Sequence, residues 1–251
     1  MALVFLLLVA CNGPDETLAP LDLTERLDES TARAGVVTDE DALFGGISAE
    51  AQAGDLKIYN DRVQFVIQGL ERDSHYYIQR GGVVVDADIV RPEGEIGRDL
   101  IDDWAPMVGL ARTVEPSRLE LISEGRDGEP AHIRVWGEPK PLRLIVGVFD
   151  KEDALPDIPV QVCVDYVLEP GSWFLQVSTT VQALDDTGVF AAGDILMASL
   201  DATDIFAPGH GLGTVEIGTY PYLAHVGQRG EARSASSRPQ ARSSTWTPPP
   251  S

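Results

Sequence analysis

Cysteine is nearly missing from this chain, with two in 251 residues, Cys11 and Cys163. A framework of several disulfides is therefore excluded. No apolar run approaches the roughly 20 residues that span a bilayer; the clearest, Ala2 to Ala10, is nine long. Basic residues are scarce, 19 against 40 acidic ones for a net charge of −21, and such a surface repels phosphate backbones, so nucleic acid is excluded as a partner. The four histidines (His75, His132, His210, His225) lie far apart with no H-x-H, HExxH or Cys-x-x-Cys spacing. A metal centre thus has no sequence support, no cofactor motif is present, and no catalytic residue is assigned. Helical stripes are also wanting, apart from a weak pattern at Leu23 and Leu27.

What is present begins at the N-terminus. Ala2–Ala10 has the length of a signal-peptide h-region and ends on a small residue, although no Lys or Arg precedes it. The residues Leu8-Val9-Ala10-Cys11 resemble the lipobox of bacterial lipoproteins. That resemblance implies cleavage before Cys11, lipidation of its thiol, and export to the cell envelope with the membrane as partner through the anchor. Acyl chains hold a soluble domain because each buried CH2 contributes about 0.8 kcal/mol. With Cys11 so used, Cys163 has no disulfide partner.

Residues 12–50 carry ten acidic and two basic residues with few aromatics. Together with Cys11 they read as an acidic tether over 11–50, too poor in apolar surface to order itself. From Leu56 the hydrophobic period becomes two. LKIYNDRVQFVI reads as a hairpin turning at Asn60-Asp61 with one buried face. VQVCVDYVLEPGSWFLQVSTTVQ sets Val160, Val162, Val164, Tyr166 and Leu168 on one side. Pro170-Gly171 then fits the centre of a type II turn, and Trp173, Leu175, Val177, Thr179 and Val181 alternate on the return. RLELIS, HIRVW and LRLIVGVF are further strands, separated by the turn-rich GRDGEP and GEPKP. Many short strands with Gly, Pro and Asp turns give a mainly β protein, an antiparallel β-sandwich over 51–228.

The order GDLKIYNDRVQFVIQ, GGVVVDADIVRP and DYVLEPGSWFLQVSTTV resembles the N-terminal β-sandwich of large secreted bacterial lipoproteins, similar to the galactose-mutarotase-like supersandwich. That resemblance implies association with carbohydrate. Beyond residue 228 the chain turns Arg-, Ser- and Pro-rich without apolar periodicity. Two readings of 229–251 stand: a disordered linker-like tail, or a chain truncated or read out of frame, leaving the strand in TYPYLAHVG short of a complete sheet.

Four residues are candidates for ligand binding. Asp86 and Asp88, two apart on a strand, project from one face about 7 Å apart. They belong to seven acids between 86 and 103, a set whose irregular spacing reads as a solvated acidic loop rather than a calcium site. His210, in the glycine-flanked PGHGLG, reads as an exposed turn residue. Trp136 shares the polar side of its strand with His132 and Arg134 and is the tryptophan best placed to stack on a sugar, whereas Trp173 belongs to the core. The sequence thus describes a lipid-anchored, non-catalytic envelope protein whose sandwich binds carbohydrate or serves as a structural or interaction module. The alternatives are a sugar epimerase or lyase using His210 or His132 with an acid from 86–103, and a fragment of a larger multidomain lipoprotein.

Overall fold

Val, Ile and Leu spaced two apart force each segment of this chain to choose a wet and a dry side, and the resulting strands pair in the order in which they occur. A computed structural model describes residues 21–46, 48–70, 78, 81–99, 101–142, 157–185, 191–198, 202–213, 224–228 and 243–244. Nine strands form a continuous antiparallel meander: β1 (Ala32–Val36), β2 (Leu56–Asn60), β3 (Val63–Ile67), β4 (Val84–Ile89), β5 (Ile101–Val108), β6 (Arg112–Glu124), β7 (Ala131–Pro141), β8 (Val160–Leu168) and β9 (Gln176–Ala183). A tenth, β10 (Ala192–Ala198), pairs along β5. A smaller sheet joins β11 (Ala202–Ala207), β12 (Gly211–Gly213), β13 (Ala224–Gln228) and β14 (Ser243–Ser244). The mainly β, antiparallel sandwich read from the sequence is the fold observed. No helix among the described residues is long and apolar enough to cross a membrane.

The two layers are two halves of one sheet. β5 meets β4 and β6 at single register pairs, Val84↔Trp104 and Met107↔Thr113. Weak lateral pairing there lets the sheet fold over, so that β1 and β2 lie across β6, β7 and β8. The dry faces meet in one core, where Ile58, Ile67, Ile133, Tyr166 and Leu168 are fully buried. Each such side chain contributes roughly 1.5–3 kcal/mol by leaving water. Tyr166 donates its hydroxyl to the carbonyl of Gly82 at 2.8 Å and stands edge-on to Trp104.

The ends of the layers are clasped by Asn60. Its Oδ1 accepts from the amides of Arg62 and Val63 and closes the β2–β3 turn. Its Nδ2 donates to the carbonyls of Glu169 and Ser172 at 3.0 and 2.8 Å, across the sandwich in the β8–β9 turn. That turn is the expected one: the Ser172 amide returns to the Glu169 carbonyl and Gly171 has φ +63°. With proline fixing negative φ before it, this is the type II arrangement. Trp173, Leu175, Val177 and Val181 then pack on the core as read, while Thr179, read on the same side, is exposed, and Gln176 and Ser178 face water.

Four expectations are corrected. The tether does not extend over 21–50: β1 lies inside it, and Leu23 and Val37 are buried with Ala42 and Tyr59. Ala32 and Ala34 are small enough to lie under the β6–β7 hairpin, where a Cβ on Gly125 would collide with the carbonyl of Ala32. The first hairpin is buried on both faces at β2, because Lys57 and Tyr59 are covered by residues 22–25 and Ala42, and its turn falls at Asp61-Arg62. GEPKP continues β7 instead of turning. β8 leaves β7 at Gly137, so Pro139 needs no amide on that side. Ser243–Ser244, within the stretch read as a tail, pair with β13. The signal segment, Cys11 and most of LRLIVGVF lie outside the described residues.

Asn60→Ala would strand two turn amides and two turn carbonyls at a buried position. It is expected to cost about 2–4 kcal/mol in urea melts. Gln176→Arg, on the wet side of β9, is expected to cost under about 0.5 kcal/mol. Equal losses from the two substitutions would contradict the clasp.

Candidate functional site

β7 runs between β6 and β8, so its outward side chains have neighbours on both flanks. Ala131, Ile133 and Val135 point into the core, and the strand's alternation leaves His132, Arg134 and Trp136 on the outer face. Register then builds rows across four strands. Arg118, Trp136, Cys163 and Thr180 form one; Glu120, Arg134, Asp165 and Ser178 form the next. Side chains directly opposite one another on antiparallel strands lie close enough to interact.

These rows are knit by charge and aromatic contact. Trp136 donates its Nε1–H to Glu120 Oε2 at 3.0 Å, which fixes the plane of the half-buried indole. The guanidinium carbons of Arg118 and Arg134 lie 5.2 and 5.8 Å from its ring centroid, within cation–π range. Asp165 Oδ1 is 2.6 Å from both Arg134 Nε and His132 Nε2. Burial works to raise the Asp165 carboxyl, but the bonds from Arg134 and His132 outweigh it and hold it below the ordinary carboxylate range. The carboxylate in turn raises the Arg134 guanidinium.

Cys163 lies in the same face with Sγ 3.9 Å from Asp165 Oδ2. This is no nucleophilic triad. An imidazole would have to face the thiol, whereas here a carboxylate does, and burial together with that negative charge pushes the thiol up. The face can hold and orient a ligand through a fixed aromatic ring and directed polar groups.

The other candidates lie elsewhere. Asp86 is buried on β4 and accepts from the Glu50 and Ala51 amides at 2.9 and 3.2 Å. Asp88 is held by both Arg91 nitrogens and the Arg98 amide. The two carboxylates therefore serve different loops and do not converge on a ligand. His210 is exposed in the turn closing β11 onto β12, where its amide donates to the Ala207 carbonyl. Of the four, Trp136 alone belongs to the described polar face of β6–β9.

The solvated-loop reading of 86–103 is corrected. Glu93 and Glu95 are exposed, but Asp86, Asp99, Asp102 and Asp103 are buried. Their purpose is structural, because loop ends leave main-chain amides that need acceptors. Asp99 takes the Ala87 and Ile101 amides, and Asp103 takes that of Ile78. Among the described residues no group of three or more His, Cys, Asp or Glu is arranged to hold a metal ion.

A cavity of about 410 Å³ lies between residues 24–27, β2–β3 and the loop 90–97. Lys57 beside it donates to the carbonyls of Leu23 and Ala42 at 3.0 and 2.7 Å and sits 4.4 Å from the Tyr59 ring centroid. Burial lowers its ammonium to about 8. Its bonds fasten the 21–27 segment to β2 and are already spent on the fold. No protein-family model, curated protein or solved structure matches this chain.

The buried acids give the fold a pH dependence. Burial pushes Asp99 up to about 8 and Asp86 up to about 6, with the charge of Asp86 adding to the effect on Asp99 and those of Glu50 and Asp55 adding to the effect on Asp86. A carboxyl raised in the folded state binds protons more tightly there than in the unfolded chain, so stability falls as pH rises through these values. The melting temperature is expected to be several degrees higher at pH 5.5 than at pH 8, at about 2–4 °C per kcal/mol for a domain of this size. Asp99→Asn should flatten that slope. A flat profile in the parent chain, or an unchanged slope in the variant, contradicts the assignment.

Proposed function

We propose that this chain is a lipid-anchored protein of the cell envelope whose β-sandwich binds carbohydrate, without catalysis, on the outer face of β6–β9. The observation that carries the reading is Trp136, half-exposed in the middle of a polar strand face and fixed by Glu120. Sugar recognition asks for an apolar plane against the C–H face of a pyranose and for polar groups around it to meet the hydroxyls. Arg118, Glu120, Ser178 and Thr180 supply the latter from neighbouring strands. The Arg118 side chain is 57% exposed and touches Glu120 at only 3.4 Å. Such an exposed contact contributes little, so the Arg118 guanidinium can shift toward the edge of the indole and meet a sugar's polar groups beside the ring at small cost.

The anchor rests on Leu8-Val9-Ala10-Cys11, and the resemblance of residues 45–228 to the mutarotase-like supersandwich supports the carbohydrate class. Glycan-array binding is expected for the full chain and is expected to be lost in Trp136→Ala with the fold intact. Turnover of a bound sugar that disappears in His132→Ala or His210→Ala would instead establish the enzyme. Cys11→Ser is expected to abolish palmitate labelling and membrane partition, and labelling that persists would remove the anchor from the account.

A further inference from the structure

We infer that the sugar this face selects is an acidic one, a uronic acid whose carboxylate is held by Arg118 and Arg134 while its ring lies against Trp136. The inference rests on the carbohydrate reading above and goes beyond it in naming the ligand class. It follows from counting donors and acceptors on the face.

An arginine has five N–H donors. Arg134 spends its Nε–H on Asp165 Oδ1, and its two terminal amino groups have no partner among the described residues. Among the described residues Arg118 has one polar contact, a terminal nitrogen 3.4 Å from Glu120 Oε1, besides its place near the Trp136 ring. The carboxylate acceptors beside the arginines are engaged, and the Ser178 and Thr180 hydroxyls of the same rows lie farther off, on β9. Glu120 Oε2 takes the Trp136 N–H and Oε1 faces Arg118. Asp165 Oδ1 takes both Arg134 and His132, and Oδ2 has the thiol of Cys163 at 3.9 Å.

A neutral sugar's hydroxyls can accept from these donors only one oxygen at a time, each also carrying a proton that needs an acceptor of its own. A carboxylate offers acceptors only, in the planar geometry that a guanidinium fork fits. Both guanidiniums lie within 6 Å of the indole centroid, so a carboxylate bound by them comes from a group carried next to the stacked ring. The chain's charge of −21 acts against an anion here as it does against a phosphate backbone, but the two carboxylates nearest the site, Glu120 and Asp165, are already paired with Arg118 and Trp136 and with Arg134 and His132. At physiological ionic strength exposed charges are screened beyond about 8 Å, whereas the carboxylate meets the guanidiniums at hydrogen-bond distance.

The test is calorimetric titration of the full chain in detergent with a panel of trisaccharides matched in pairs, uronate against neutral sugar, with trigalacturonate and galactotriose as one pair. Sodium acetate serves as a competitor, to separate a sugar-borne carboxylate from a free one. The expected result is at least tenfold tighter binding of a uronate than of its neutral partner. Arg118→Gln should remove most of that preference, as should Arg134→Lys, which keeps the charge but not the fork. Trp136→Ala should weaken uronate binding, and acetate should not compete at matched concentration. Equal affinity within every pair, all lost in Trp136→Ala, would overturn the acidic-sugar inference and leave the carbohydrate reading standing. Acetate competing as well as the uronate would also overturn it. Failure of every trisaccharide and array glycan to bind would overturn both.

Discussion

In a meander whose strands pair in chain order, the apolar face can leave water only by curling over onto itself, and β5, sparsely paired with β4 and β6, is where this chain does so. Everything else in the molecule depends on keeping the halves together. Hydrophobic contact between β1–β3 and β6–β9 provides the drive, but it is not directional. Direction comes from Tyr166, which reaches from β8 to the carbonyl of Gly82, and from Asn60, whose four hydrogen bonds join the β2–β3 turn to the β8–β9 turn. Buried polar groups satisfied in this way select one arrangement of layers among the several that hydrophobic burial alone would allow.

The same logic explains the acids. Most of the acidic residues among the described ones are exposed, yet Asp55, Asp86, Asp99 and Asp103 are buried and each accepts a main-chain amide. They secure the irregular segments between strands, at the expense of a fold that tightens as pH falls from 8. Their geometry also separates them from the outer face of β6–β9. There the carboxylates Glu120 and Asp165 are engaged with Trp136, His132 and Arg134, and the arginines are left with donors to spare. One face of the sheet thus carries the fold, and among the described residues the opposite face of β6–β9 presents polar and aromatic groups.

Period-two alternation made the fold class and most of the long strands legible, together with the Pro170-Gly171 turn and the polar side of β7. Several strands were not legible, β1, β5 and β10 among them. β1 consists of small and polar residues in an acidic stretch, and its burial depends on the hairpin above it. β5 carries two buried aspartates, Asp102 and Asp103, behind its first residue, which no local pattern marks as core. At the site, Trp136, His132 and Arg134 were readable from one strand. Arg118, Glu120 and Asp165 alternate correctly in RLELIS and VQVCVDYVL, but their meeting with Trp136 depends on register across β6–β8. Bulges in β6 between Pro116 and Arg118 and between Leu121 and Ser123 shift that register beyond what spacing can specify. Asp86 and Asp88 failed as a pair because burial, invisible to their spacing, gave each its own loop to hold.

The central claim is that ligand meets the chain at Trp136 on a scaffold that does not move. The indole N–H resonance of Trp136, bonded to Glu120, reports on it directly in a ¹H–¹⁵N spectrum recorded during titration with a bound trisaccharide. The account predicts a saturable shift of that resonance, with the indole signals of Trp104 and Trp173, packed against the core, left in place. Saturable binding that moves Trp104 or Trp173 and leaves Trp136 unshifted would contradict it.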